Sequence, residues 1–151
     1  MRNTEKDKYW REMIRKQGEL RHFGSIAIRK SSKGDLASAQ EVDLLFRVAL
    51  SGGMMTPGQL AADMGVSKTI ISRLIDSLEK KALIIKERTL NDRRSYGIRV
   101  TDDGKEEVDR MYYYYLDPLY TLREQMTSDD FEKLFRLIEA ANTILSNANS
   151  K

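Results

Sequence analysis

The stretch GQLAADMGVSKTIISRLIDSLEKKALI, Gly58 to Ile84, constrains this chain more tightly than any other. Apolar residues recur at helical spacing on both sides of Gly65, which predicts a short helix over Pro57–Met64, a turn, and a second helix over Ser67–Lys81. Gly65 supplies the left-handed residue that closes the first helix at little cost, Val66 turns inward, and Ser67 caps the next helix. Ala61 is small where the two helices cross, and Leu60, Val66, Ile71, Leu74 and Leu78 make the apolar side. Lys68, Thr69, Ser72, Arg73 and Asp76 remain outward, with Ile70 between the two faces, where it can touch a thymine methyl. Short hydrogen-bonding side chains and cations near a helix N-terminus are what a recognition helix offers to base edges in a major groove. An amphipathic helical hairpin with an inert polar face has the same pattern, so the neighbouring segments must decide.

Directly after this pair, Ile84–Arg88 and Tyr96–Val100 read as two strands, the second alternating Ile98 and Val100 against Gly97 and Arg99. Met54–Met55 can add a short third strand. The turn between the two strands needs only Asn91 and Asp92, yet it is surrounded by Arg88, Arg93 and Arg94. A helix-turn-helix followed by a β-hairpin is a winged helix, and its wing tip meets the DNA backbone or the minor groove. A narrow minor groove concentrates negative potential and favours arginine over the more strongly hydrated lysine. Asp92, two residues before Arg94, can hold that guanidinium in one orientation and reduce the entropy lost on binding. The plainer alternative for that pair is a surface ion pair worth ~0–1 kcal/mol.

Helix starts are legible elsewhere. SAQE (Ser38–Glu41) and TPGQ (Thr56–Gln59) are capping-box patterns, TSDD (Thr127–Asp130) is a similar start, and TDDG offers Thr101 as a cap. The remaining helices are expected over roughly Lys8–Ile28, Ser38–Leu50, Asp102–Leu122 and Ser128–Asn147, with SSKGDLA as a linker after the first. Trp10, Met13, Ile14, Gln17 and Phe23 lie loosely on one face of the first helix. Phe131, Leu134, Phe135, Ile138, Ala141 and Leu145 make a stripe on the last helix that something must cover. Packing within the chain would cover it; so would a second copy, and helices at both ends of a short chain favour the dimer. The expected fold is mainly α with a minor β component: a winged helix-turn-helix lobe over 38–101, a helical dimerisation region over 1–37 and 123–151, and a long linking helix over 102–122.

Charge follows the same division. Residues 66–100 carry nine basic and four acidic side chains, whereas residues 101–151 carry six basic and eleven acidic ones. A positive middle beside an acidic end suggests a surface for a polyanion on one part only. Zero cysteines exclude disulfides and thiolate metal sites, and a lone His22 leaves little for a histidine-based one. No glycine-rich phosphate loop or metal-spaced ligand set is present, so neither an enzyme nor a cofactor is expected, and SGG (Ser51–Gly53) reads as a helix stop. No apolar run suits a signal peptide or a membrane span, and a cytoplasmic setting is expected.

Taken together, QLAADMGVSKTIISRLIDSLEKKALI and NDRRSYGIRVTDDGKE resemble the MarR family of winged helix-turn-helix transcriptional regulators, in the Asp92–Arg93–Arg94 turn and in Thr101 followed by Gly104. The resemblance implies a homodimer with intertwined terminal helices, in which Ser67, Lys68, Thr69, Ser72 and Arg73 meet the major groove of double-stranded DNA. Arg94 would meet the minor groove, within a wing of Arg88, Asp92, Arg93 and Arg94. It further implies repression at a palindromic operator, relieved by a small, often aromatic, ligand between the dimer helices and the lobe. Thiol-sensing and zinc-sensing members are poor models, given the cysteine and histidine counts. Ile70 stands where the family commonly has a small polar residue, and Ala82 where glycine usually ends the recognition helix. Tyr112, Tyr113 and Tyr115 with His22 either border a ligand pocket or belong to core and interface, and Pro118 is expected to kink its helix. The competing function is a winged-helix protein-interaction module whose basic face meets an acidic partner.

Overall fold

A computed structural model describes residues 7–29, 38–88 and 95–150. Among these residues six helices and two paired strands follow in the order α1 (Trp10–Ala27), α2 (Ala39–Leu50), α3 (Pro57–Met64), α4 (Lys68–Lys80), β1 (Ile84–Arg88), β2 (Tyr96–Val100), α5 (Asp102–Gln125) and α6 (Ser128–Asn149). Thr56 and Gln59 complete a full capping box at α3, with Gln59 Oε1 2.9 Å from the Thr56 amide and Thr56 Oγ1 3.1 Å from that of Gln59. Ser38, Ser67, Thr101 and Thr127 each accept the amide hydrogen bond three residues on, which settles where α2, α4, α5 and α6 begin. At α2 the Glu41 carboxylate has other partners: it accepts the Ser77 hydroxyl and, at 3.1 Å, the Lys81 ammonium, tying α2 to α4.

The core lies within the lobe. Val42, Leu44, Leu45 and Val48 of α2 meet Leu60 of α3, Ile71, Leu74, Ile75 and Leu78 of α4, and Ile84 and Ile98 of the hairpin. Burying each such side chain contributes about 1.5–3 kcal/mol. Ile75 belongs to this core although the expected apolar side of α4 omitted it, while Val66 and Ile70 are only partly buried against it. Met111 brings α5 into the same cluster, and Tyr115 stacks on Phe46 with ring centroids 5.2 Å apart. Its phenol pKa is raised, by burial first and then by the Asp43 carboxylate.

β1 and β2 pair antiparallel from Ile84 opposite Val100 to Arg88 opposite Tyr96. Met55 adds a single bridge to Ile98, the remnant of the expected third strand. Gly97 departs from the expected alternation and is buried rather than outward. The Met54 side chain lies on it, its Sδ 2.6 Å from where a Cβ would stand, so a bare Cα is required there. Gly104 answers a comparable need, since a Cβ would lie 2.1 Å from the Leu83 carbonyl oxygen. α5 therefore starts hard against the end of the helix-turn-helix. Pro118 sits inside α5, which runs on to Gln125.

Helices α1 and α6 contain no buried residue. Phe131, Leu134, Phe135 and Ile138 are half-buried, but Met13, Ile14, Leu20, Ile26, Leu137, Ile144 and Leu145 remain exposed.

Candidate nucleic-acid interface

The turn between α3 and α4 is built by two hydrogen bonds from consecutive amides. Gly65, at φ +65°, donates to the Ala62 carbonyl at 3.3 Å, and Val66 donates to that of Ala61 at 3.2 Å. This closure sets the angle at which α4 leaves. The same arrangement recurs at the other end of α4. Ala82 donates to Glu79 at 2.9 Å and Leu83 to Leu78 at 3.1 Å, with Ala82 at φ +59°. Alanine thus holds a backbone conformation that usually falls to glycine. The Thr101 hydroxyl donates to the Ala82 carbonyl at 2.6 Å, so the end of α4 and the start of α5 share one junction.

On α4 the buried residues Ile71, Leu74, Ile75 and Leu78 fill one side, which leaves Ser67, Lys68, Thr69, Ser72, Arg73 and Asp76 exposed on the other. Ser67 spends its hydroxyl on the Ile70 amide at 3.2 Å. Among the described residues, the side chains of Lys68, Thr69, Ser72 and Arg73 make no hydrogen bond or ion pair, and they are exposed to solvent. Ile70 is half-buried, so most of its surface serves the lobe.

Arg88 is exposed at the outer end of β1. Asp92, Arg93 and Arg94 lie outside the described residues, as does the expected Asp92–Arg94 pairing. Across the hairpin, Glu87 receives Arg99 through two bonds, Nε to Oε1 at 3.1 Å and Nη2 to Oε2 at 3.2 Å. Lys86 bridges strand and helix: its Nζ lies 2.9 Å from Asp76 Oδ1, 3.6 Å from Glu79 Oε1, and 5.5 Å from the Tyr96 ring centroid. The hydrogen bond to Asp76 raises the Lys86 pKa against a smaller opposing effect of burial. Sequence reading missed this clamp, because Asp76 stands on α4 and Lys86, ten residues on, in β1. It likewise missed the Glu41–Ser77–Lys81 network.

A second feature lies where α1 meets α5. A cavity of about 260 Å³ is lined by Phe23, Ile26, Ala27, Pro118, Thr121 and Leu122. Arg29 and Asp117, paired at 3.1 Å, close one side of it, and the Arg29 guanidinium lies 5.0 Å from the Tyr114 ring centroid. None of His22, Tyr112, Tyr113 or Tyr115 lines this cavity. Tyr115 is partly buried against the core instead, while Tyr112, Tyr113 and His22 are exposed.

Comparisons with known proteins bear on this arrangement. Residues 37–95, the lobe from α2 into the hairpin, match the model of the MarR family. An uncharacterized HTH-type transcriptional regulator of Bacillus subtilis (strain 168), YcgE, is 27% identical over 93 residues, which is 62% of this chain and 60% of that protein. The chain thus matches somewhat under two thirds of its curated relative's length. A MarR protein from Peptoclostridium difficile has the same fold with a TM-score of 0.74 at 21% identity, over 98% of this chain and 94% of that one. A mutant MarR from E. coli, complexed with operator DNA, gives a TM-score of 0.69 at 20% identity, over 90% of this chain and 99% of that one.

Proposed function

We propose that this chain, whose winged lobe is similar to the MarR family model over residues 37–95, is a MarR-type sequence-specific DNA-binding transcriptional regulator. The observation that carries this reading is the polar face of α4. Lys68, Thr69, Ser72 and Arg73 are exposed and without protein partners among the described residues. Unspent donors on a helix face, backed by a buried apolar side, suit base edges and phosphates. Ser67 and the wing residues Arg88, Asp92, Arg93 and Arg94 complete the proposed contact set. That a mutant MarR of this fold is known in complex with operator DNA supports reading the lobe as a DNA-binding one.

The finer reading is a homodimeric repressor on a palindromic operator, with 1–37 and 123–151 forming the dimerisation region and 102–122 linking it to the 38–101 lobe. The exposed apolar side chains of α1 and α6 support pairing with a second copy. The cavity between α1 and α5, largely apolar with one guanidinium at its edge, suits a small aromatic ligand that relieves repression.

Selection of binding sites from random duplexes, followed by fluorescence anisotropy over a salt series, tests the reading. A log–log slope of about −0.9 per neutralised phosphate is expected. Arg73→Ala should cost about 1–3 kcal/mol and relax base preference at one position if Arg73 reads a base edge. Selection that yields no preferred duplex would exclude a sequence-specific regulator and favour an acidic protein partner for the same face.

A further inference from the structure

Asp76 follows Arg73 by three residues and Ser72 by four, so it shares their side of α4. Its side chain is 61% exposed. A carboxylate on a face meant for a polyanion opposes the purpose of that face, and Glu79, also exposed, follows it by three residues. Both turn to the same cation. Lys86 Nζ reaches from β1 to Asp76 at 2.9 Å and to Glu79 at 3.6 Å, and the Tyr96 ring lies on a further side, its centroid 5.5 Å away. Two carboxylates and an aromatic face therefore occupy an ammonium carried by the strand that leads into the wing. Arg73 and Lys68, by contrast, are left without partners on the same surface.

We propose that Asp76 and Glu79 are affinity-limiting residues of the interface, which hold Lys86 away from the DNA backbone. The inference rests on the DNA-binding function proposed above. Each phosphate neutralised by a cation strengthens binding to every duplex alike, because the backbone carries no base information. Withholding one cation per subunit lowers the affinity that all sequences share and leaves the base-reading side chains of α4 untouched. A regulator that must leave its site gains from such restraint.

The test uses the full chain and a labelled random-sequence duplex, titrated by anisotropy across a salt series. The double variant Asp76→Asn/Glu79→Gln should bind more tightly, with a salt slope steeper by about 0.9 for each Lys86 that reaches a phosphate. Adding Lys86→Met to that variant should return the slope to the wild-type value, whereas Lys86→Met alone should leave the slope unchanged. An unchanged slope in the double variant overturns the inference. So does a gain that survives Lys86→Met, since the removed carboxylates would then act through their field alone. Should the double variant lose cooperative unfolding, Asp76→Asn and Glu79→Gln singly carry the same comparison. Wild-type protein that binds no duplex even at low salt removes the DNA-binding function itself, an outcome distinct from a slope that fails to move.

Discussion

Ala82 bears more strain than any neighbouring residue suggests. At φ +59° its Cβ crowds its own carbonyl, a conformation that costs a non-glycine residue roughly 1–2 kcal/mol. The site tolerates this because the amides of Ala82 and Leu83 close α4, and the Ala82 carbonyl receives the Thr101 hydroxyl. Ala82→Gly should remove the strain while adding unfolded-state entropy of about 0.5–1 kcal/mol. The expected result is a net gain of about 0.5–1 kcal/mol in urea unfolding. A loss of stability there would mean that the junction draws on the alanine methyl. Gly104, three residues beyond Thr101, is constrained for the opposite reason, since the Leu83 carbonyl leaves no room for any side chain. Sequence alone marked Ala82 as a departure and Gly104 as a match. The sign of each consequence came from the backbone angle and from the distance.

Among the elements, α4 depends most on others for its placement. Its N-terminus is set by local chemistry, through Gly65 and Ser67, which is why its start was legible in the sequence. Its inclination is set by packing on α2 and by the buried carboxylate of Glu41, only 4% exposed, between Ser77 and Lys81. Glu41→Ala leaves a half-buried hydroxyl and a cation without this acceptor. A loss of about 1–3 kcal/mol in equilibrium denaturation is expected. If the network also aims α4, affinity for the selected duplex should fall further than the folded fraction does. Helix starts were readable because caps act within four residues. The partners of Glu41, Lys86 and Arg29 were not, because they lie 7 to 88 residues away in sequence.

For the whole molecule, the uneven distribution of core is the governing fact. Apolar burial is concentrated in the lobe, whereas α1 and α6 present Met13, Ile14, Leu20, Leu137, Ile144 and Leu145 to solvent. An apolar face of that extent is a liability on a monomer and an asset in an obligate dimer, whose interfaces bury about 2,000 Å² or more. Sedimentation equilibrium should therefore report a dimer for the full chain. Leu137→Asp with Ile144→Asp should shift it towards monomer and weaken duplex binding, since two lobes no longer act together. A wild-type chain that sediments as a monomer would remove the dimer from the proposed function. Among the described residues no helix is long and apolar enough to cross a membrane.

Sequence by itself determined what acts over short range: the helix starts, the left-handed close at Gly65, the extents of the two strands, and which residues of α4 face outward. Periodicity and capping are local physics, and the chain cannot evade them. Tertiary structure decided what depends on distant segments meeting. It buried Gly97 under Met54, packed Tyr115 against the core, lined the α1–α5 cavity with residues other than the tyrosines, and gave Lys86 to Asp76 and Glu79. Those outcomes turn on distances between side chains that the order of residues does not encode one pair at a time.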